Sequence, residues 1–394
     1  MKPSQDFQAL LRIYETELLD DVMPWWMDHA IDRERGGIFF HLAQDGTVLS
    51  GDKSMWSQGR ALWTFSALYN RVGQRAEWLE IANHLSEFVL KIGRANDWVW
   101  PQTLAQDGTV KVEPGRIYAD GFAIMGLTEY ARATGSQEAI AAALATSETV
   151  RNRMQIPGTH LDVPDNLANA AKCHGISMIF SIVFHELGKL LNDAAILQAG
   201  HAHATRILDH HRHPELGLLV EYTALDGAVL GSPQGHQVNP GHAIESMWFL
   251  IHIFRDRRED ARIDQAIECM KWHIEKSWDP ECGGMFTFLN LDSTPASPEG
   301  MKAFWPHGEA LYALLLAYEH CGEQWCLDWY DRMHQWTFAH FPVRQHGEWR
   351  EMVERDGSVP KYAEHQPPKM HTCFHLPRTL MMCIDVLERL ASSG

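Results

Sequence analysis

Apolar and polar positions along this chain follow two alternating rhythms. Short strand-like stretches ending in Asp-Gly give way to long helical stretches, and the alternation repeats. Clear copies of the turn stand at Asp45-Gly46, Asp107-Gly108, Asp226-Gly227 and Asp356-Gly357, and a degraded copy at Asp292 follows Gly283-Gly284-Met285-Phe286. Their spacing is nearly regular except for one double-length gap, which points to an eroded sixth copy near Asp165-Asn166. Asp-Gly between apolar runs predicts a hairpin with a tight primed turn, because these residues tolerate positive φ. The segments that follow are Trp56 to Tyr69, Phe122 to Ala131, Ile176 to Leu187, Ile244 to Ile253, Ala310 to Tyr318 and Leu380 to Leu390. Each is apolar over most of its circumference, which predicts a buried helix. More charged stretches such as Arg75 to Lys91 and Arg258 to Lys276 predict outer helices with one wet face.

Fixed-period self-similarity marks a repeat architecture whose single units cannot bury their inner helices. The pattern is met by an all-α (α/α)6 barrel, a toroid with short β-hairpins at one end, forming one domain over residues 1–394. An open array would need polar terminal caps, yet the last apolar helix is as apolar as the others. Two unrelated helical domains are the alternative that length suggests. No Pro/Gly/Ser linker or charge block interrupts the rhythm to support them.

With 45% hydrophobic and 22% charged residues the composition is that of an ordinary globular protein. A net charge of −17 argues against a nucleic-acid partner, since phosphate must be neutralised by Lys and Arg. Fifteen Trp and 23 His both suit carbohydrate, through stacking on sugar rings and proton transfer near neutrality. Met1 to Ala30 is amphipathic and acidic, unlike a signal peptide, and no apolar run is long enough to span a bilayer. The seven cysteines lack paired zinc spacings, so a reducing cytoplasm is the expected location.

Polar residues concentrate at the starts of the apolar helices, which would converge at one mouth of a barrel. Gln58-Gly59-Arg60 puts a charge inside an apolar helix, where it needs an anion, a carboxylate or a sugar oxygen. In Asn239-Pro240-Gly241-His242-Ala243-Ile244-Glu245 the histidine and carboxylate fall on one helical face, an arrangement that would orient and activate the imidazole. Trp305-Pro306-His307-Gly308-Glu309 and Cys373-Phe374-His375-Leu376-Pro377-Arg378 repeat the theme. Taken singly, each has a structural explanation. His and Glu three apart also occur in di-metal bundles, but the matched sets of glutamates such sites need are missing, so no metal is expected. No nucleotide-phosphate or dinucleotide motif is present.

These segments, together with Lys53-Ser54-Met55-Trp56-Ser57-Gln58-Gly59-Arg60 and Gly347-Glu348-Trp349, resemble the N-acylglucosamine 2-epimerase superfamily over nearly the whole chain. The resemblance implies an (α/α)6 barrel acting on a monosaccharide, with catalytic histidines at His242 and His375. It places Arg60, Tyr118, Glu245, Trp305 and Glu309 around the sugar and requires no cofactor or metal. Some relatives respond to ATP, but no match here identifies a site for it. A homodimer is compatible with the sequence, and neither a membrane nor nucleic acid is expected as partner. Branches acting on disaccharides or isomerising mannose carry a histidine near position 178. Met178 stands there with His174 a turn earlier, which resembles the N-acyl branch. The expected activity is therefore interconversion of N-acetylglucosamine and N-acetylmannosamine. The alternatives are a glucose/mannose 2-epimerase, a mannose–fructose isomerase sharing the enediolate, a glycoside hydrolase on the same toroid and a non-catalytic sugar-binding protein. The roles of His174 and His307 stay open at this level.

Overall fold

The computed structural model describes residues 6–155, 171–231, 233–296, 300–360 and 373–393. Its first helix runs from α1 (Phe7–Thr16) through a π-helical turn (Glu17–Val22) into α2 (Met23–His29). Helices then come in pairs: α3 (Met55–Ala67) and α4 (Ala76–Ala95), α5 (Tyr118–Thr134) and α6 (Gln137–Arg153), α7 (His174–Leu191) and α8 (Ala194–Arg206). The series continues with α9 (Pro240–Arg257) and α10 (Asp260–Ser277), α11 (Phe304–Cys321) and α12 (Gln324–His340), and lastly α13 (His375–Ser393). The odd-numbered helices from α3 to α13 form the inner ring of an (α/α)6 toroid.

Sequence decides which member of a pair is inner. In α3 all residues but Trp56 are buried, whereas α4 buries Trp78, Ile81, Ala82, Leu85, Phe88, Val89 and Ile92, the three-and-four spacing of one apolar face. Inner neighbours approach closely where side chains are smallest. A Cβ on Gly59 would strike the Phe122 carbonyl, and one on Gly126 would lie 2.5 Å from the Gly59 carbonyl oxygen. Neither glycine could be replaced without parting α3 from α5, and that contact sets Arg60 against Phe122.

The N-terminal amphipathic stretch turns out to be the outer partner that the last apolar helix lacks. Helix α1 packs on α13, and Tyr14 on α1 meets Tyr330 and His334 of α12 at 2.9 and 3.2 Å. The Trp349 indole donates to Glu17 at 2.5 Å. Inside, Thr64 of α3 donates to the Cys373 carbonyl at 2.7 Å, and the Trp63 and Phe374 rings lie 5.4 Å apart. Closure thus joins first and last elements in both rings.

The four Asp-Gly sites and the degraded copy at Asp292-Ser293 fold alike, but not as the primed turns expected. Gly46, Gly108, Gly227 and Gly357 have φ between 86° and 93°, and Ser293 has 66°, while none of the preceding aspartates has positive φ. Each aspartate carboxylate instead accepts the amide two residues on, as in Asp45 to Thr47 at 3.0 Å. The outer hydrogen bond closes one residue further, Ala43 N to Thr47 O at 2.8 Å in the first copy. This is a type I turn followed by a left-handed residue, in which aspartate serves as an acceptor and only the residue after it, glycine in four copies and Ser293 in the other, takes left-handed space. The proposed copy at Asp165-Asn166 lies outside the described residues. Among those described, no helix is long and apolar enough to cross a membrane.

Candidate active site

The starts of the inner helices converge at the hairpin end. They line a cavity of about 400 Å³ whose wall includes Trp56, Arg60, Tyr118, Phe122, Met178 and His242. Arg60, on the second turn of α3, packs its guanidinium against the rings of Trp56, Phe122 and Phe374 at 3.9, 4.2 and 4.7 Å. Burial drives its pKa well below the ordinary guanidinium value, with Glu245 and Glu309 pulling the other way. Three aromatic faces supply attraction in place of water.

His242 is positioned by its own helix start. Pro240 opens α9, and the Asn239 side chain caps it by accepting the His242 amide at 3.1 Å. Between them Gly241 leaves the space that Trp305 fills, since a Cβ there would collide with the indole. The pairing differs from that expected. Glu245 does not hold His242 but forms an ion pair with Arg378. His242 Nδ1 lies 3.3 Å from both carboxylate oxygens of Glu221, a hairpin residue. Burial disfavours the imidazolium, but the Glu221 charge outweighs this and the His242 pKa is raised. A helical spacing of three put both groups on one face, yet the ring of neighbouring helices decided their partners.

His375 has a parallel arrangement built from other residues. Its Nδ1 lies 2.7 Å from Glu309 Oε1, and Glu309 also accepts from Arg378 at 2.6 Å and from Trp248 Nε1 at 2.8 Å. In both pairs the carboxylate binds Nδ1, which assigns that nitrogen the proton and leaves Nε2 as the basic atom. The imidazoles are also the more open partners, 32% and 12% exposed against 9% for Glu221 and 1% for Glu309. Trp305 links the pairs, with ring centroids 5.6 Å from His242 and 5.3 Å from His375. Tyr118 opens α5 on the same cavity, its hydroxyl occupying room left by Gly175.

The two histidines left open have distinct roles. His307 is fully buried, accepts the Met285 amide at 2.8 Å and lies 2.7 Å from the Ala303 carbonyl through Nδ1. It fastens the hairpin behind α11 as Gln58, at 2.8 Å from both backbone groups of Ile38, fastens the one behind α3. His174 sits beside the Glu221–His242 pair. Sequence reasoning missed Glu221 and gave Arg378 no role. The available signal for Glu221 was a carboxylate within the otherwise apolar run Leu218-Leu219-Val220-Glu221.

Among the described residues, two donor sets bring three metal-ligating side chains together: His174, Glu221 and His242, and Glu245, Glu309 and His375. In the second, Arg378 already supplies the positive charge between the carboxylates. In the first, both histidines direct Nδ1 at the one carboxylate.

A sequence model of the N-acylglucosamine 2-epimerase family matches residues 37–377. The chain belongs to this family. It is 32% identical to the N-acylglucosamine 2-epimerase of Bos taurus over 98% of this chain and 94% of that protein. Its fold is similar to that of cellobiose 2-epimerase from Spirochaeta thermophila, with TM-score 0.83, 18% identity and 98% of each chain covered. A D-mannose isomerase is similar at TM-score 0.81 and 17% identity, with 99% of this chain and 100% of that one covered. Members of this family are isomerases of the epimerase class.

Proposed function

We propose that the chain interconverts N-acetylglucosamine and N-acetylmannosamine by inverting C2, with His242 and His375 as the two proton carriers. The observation that carries this reading is the pair of imidazoles on either side of Trp305, each with Nδ1 on a buried carboxylate. A C2 proton becomes acidic only when the sugar ring opens and C1 is a carbonyl. One neutral imidazole then removes it, the planar enolate forms, and the other imidazolium returns a proton to the opposite face. Arg60, cationic and poor in water, is suited to hold the developing oxyanion. Tyr118 and Trp305 orient the sugar, and Glu245 and Glu309 act through Arg378 and His375. The relatives' names and the apolar wall of Met178, Ile179 and Ala119 favour an acyl substituent at C2. The ion pairing of Glu245 and Glu309 with one guanidinium disfavours glycoside hydrolysis, which needs carboxyl groups placed across the scissile bond. Seven cysteines that form no disulfide among the described residues fit a reducing cytoplasm.

Proton NMR in D2O tests the proposal with N-acetylmannosamine, mannose and cellobiose supplied separately. Deuterium should enter C2 of N-acetylmannosamine as its epimer appears, at a rate unchanged by EDTA. Conversion of mannose to fructose with N-acetylmannosamine untouched would overturn the N-acyl assignment.

A further inference from the structure

The two histidines are supported unequally. Glu309, behind His375, is fixed by a cation and an indole, Arg378 at 2.6 Å and Trp248 at 2.8 Å. Glu221, behind His242, comes from the hairpin strand Tyr222–Ala224 region rather than from an inner helix, and its side-chain contacts are both imidazoles. His174 Nδ1 lies 3.5 Å from Glu221 Oε2, and its Nε2 lies 2.7 Å from the Ser246 hydroxyl. The serine stands one turn beyond His242 on the same helix, so the series returns to the element it began from.

Hydrogen-bond roles follow from the donor inventory. A carboxylate only accepts, so a proton on His174 Nδ1 would face Glu221 across 3.5 Å, an ion contact without hydrogen-bond geometry, and Nε2 would then accept from Ser246. The Glu221 backbone joins in, its carbonyl accepting the His174 amide at 2.8 Å. His174 is 0% exposed and the Glu221 side chain 9% exposed. Gly175 beside His174 makes room for the Tyr118 hydroxyl, which a Cβ would meet at 2.6 Å, while Glu221 Oε1 would stay at an ordinary contact of 3.5 Å.

We propose that Glu221, backed by His174, which Ser246 in turn fixes, is the positioning residue for His242, fixing its tautomer and its basicity so that Nε2 exchanges the C2 proton on one face of the sugar. The inference rests on the two-histidine reading above and adds residues that reading does not contain. The charged and titratable groups around His242 are Glu221 from the hairpin, His174 from α7, Glu245 on its own α9 and Arg60 from α3. Helix α11 contributes the uncharged Trp305. Of these, Glu221 alone reaches the imidazole directly, so its charge sets the proton affinity.

Glu221→Gln separates this role from a structural one. It keeps the size of the side chain and removes the charge. We expect inversion of N-acetylmannosamine to slow by about 10- to 100-fold, the scale seen when a carboxylate behind a metal-bound histidine is lost. The limb of the pH–rate profile reporting His242 should move to lower pH, and Glu221→Asp should recover part of both effects. His174→Asn should move them in the same direction by less. A half-reaction gives the sharper readout: in D2O the epimer whose C2–H faces His375 should still exchange that proton while inversion is depressed. An unchanged rate and pH profile in a folded Glu221→Gln protein would overturn the inference. So would exchange and inversion falling in equal proportion for both epimers. Lack of any exchange by the wild-type chain would instead defeat the functional reading itself.

Discussion

At the scale of single residues, the abundance of histidine and tryptophan has mostly a structural cause. His307 and His273 each accept a buried backbone amide, from Met285 and Leu219, and His211 lies 3.1 Å from the Val220 carbonyl. Burial drives the pKa of these rings to about 3 or 4, so they work as neutral connectors. His242 and His375 differ from these connectors in pairing Nδ1 with a buried carboxylate while both meet Trp305 at the helix starts, and they are the proton carriers we propose. Replacing either by Ala should lower kcat about 10²-fold or more with unchanged circular dichroism, since a proton carrier and no core aliphatic is lost. Near-normal turnover by either variant would remove it from the assignment. A second residue-scale prediction concerns Glu348. Burial pushes its carboxyl up to about 8 against the Trp349 amide that favours the charge, and Glu17 adds to the rise. The folded value exceeds the unfolded one of about 4.3, so this group's stabilisation is complete in acid and declines until pH passes about 8. Glu348→Gln removes that slope. Thermal melts from pH 5 to 9 should show the variant gaining on wild type as pH rises, and a constant difference would contradict it.

At the scale of elements, the hairpins show which features a local pattern carries. Asp-Gly located four of the turns and the degraded Asp292-Ser293 copy the fifth, because left-handed backbone next to an acceptor side chain is a local demand. What lies beneath each glycine is not local. His340 of α12 sits under Gly357, fixed by a 2.6 Å contact to the Trp336 carbonyl, while the nearest atom to a Cβ on Gly108 would be 3.8 Å away. Both glycines have positive φ, near 86° and 91°. Gly108→Ala should therefore cost only the left-handed strain of about 1–2 kcal/mol. Gly357→Ala should cost about 1–3 kcal/mol more through overpacking. Urea denaturation of the pair measures the difference, and equal losses would show that His340 yields freely.

At the scale of the whole molecule, closure is what makes the site. The inner ring brings Glu245 and Arg378 together although they stand 133 positions apart, and His375 to Glu309 across 66. The outer ring depends on the first helix, whose Leu11, Tyr14, Leu18 and Val22 are buried. Deleting residues 1–29 touches no residue of the cavity, yet it uncovers α13 and removes the Tyr14 and Glu17 contacts to α12 and Trp349. We expect the truncated chain to lose its cooperative thermal transition and its activity together, measured by circular dichroism and turnover. A truncated protein that melts and turns over like the full chain would show that the ring closes without α1 and α2.

The sequence by itself determined the repeat, the inner and outer identity of the helices, and the end at which polar groups gather. Each of these is written in periodicity and turn chemistry within a few residues. It also carried His242, His375, Arg60, Trp305 and Glu309, because charged and aromatic residues at the starts of apolar helices stand out against their neighbours. Tertiary structure alone decided the pairings. Glu245 was the nearest carboxylate to His242 along the helix, yet Arg378 claimed it and Glu221 took its place. Electrostatic partnership falls with distance in space and takes no account of separation along the chain, so only the closed ring could settle which charge each imidazole would feel.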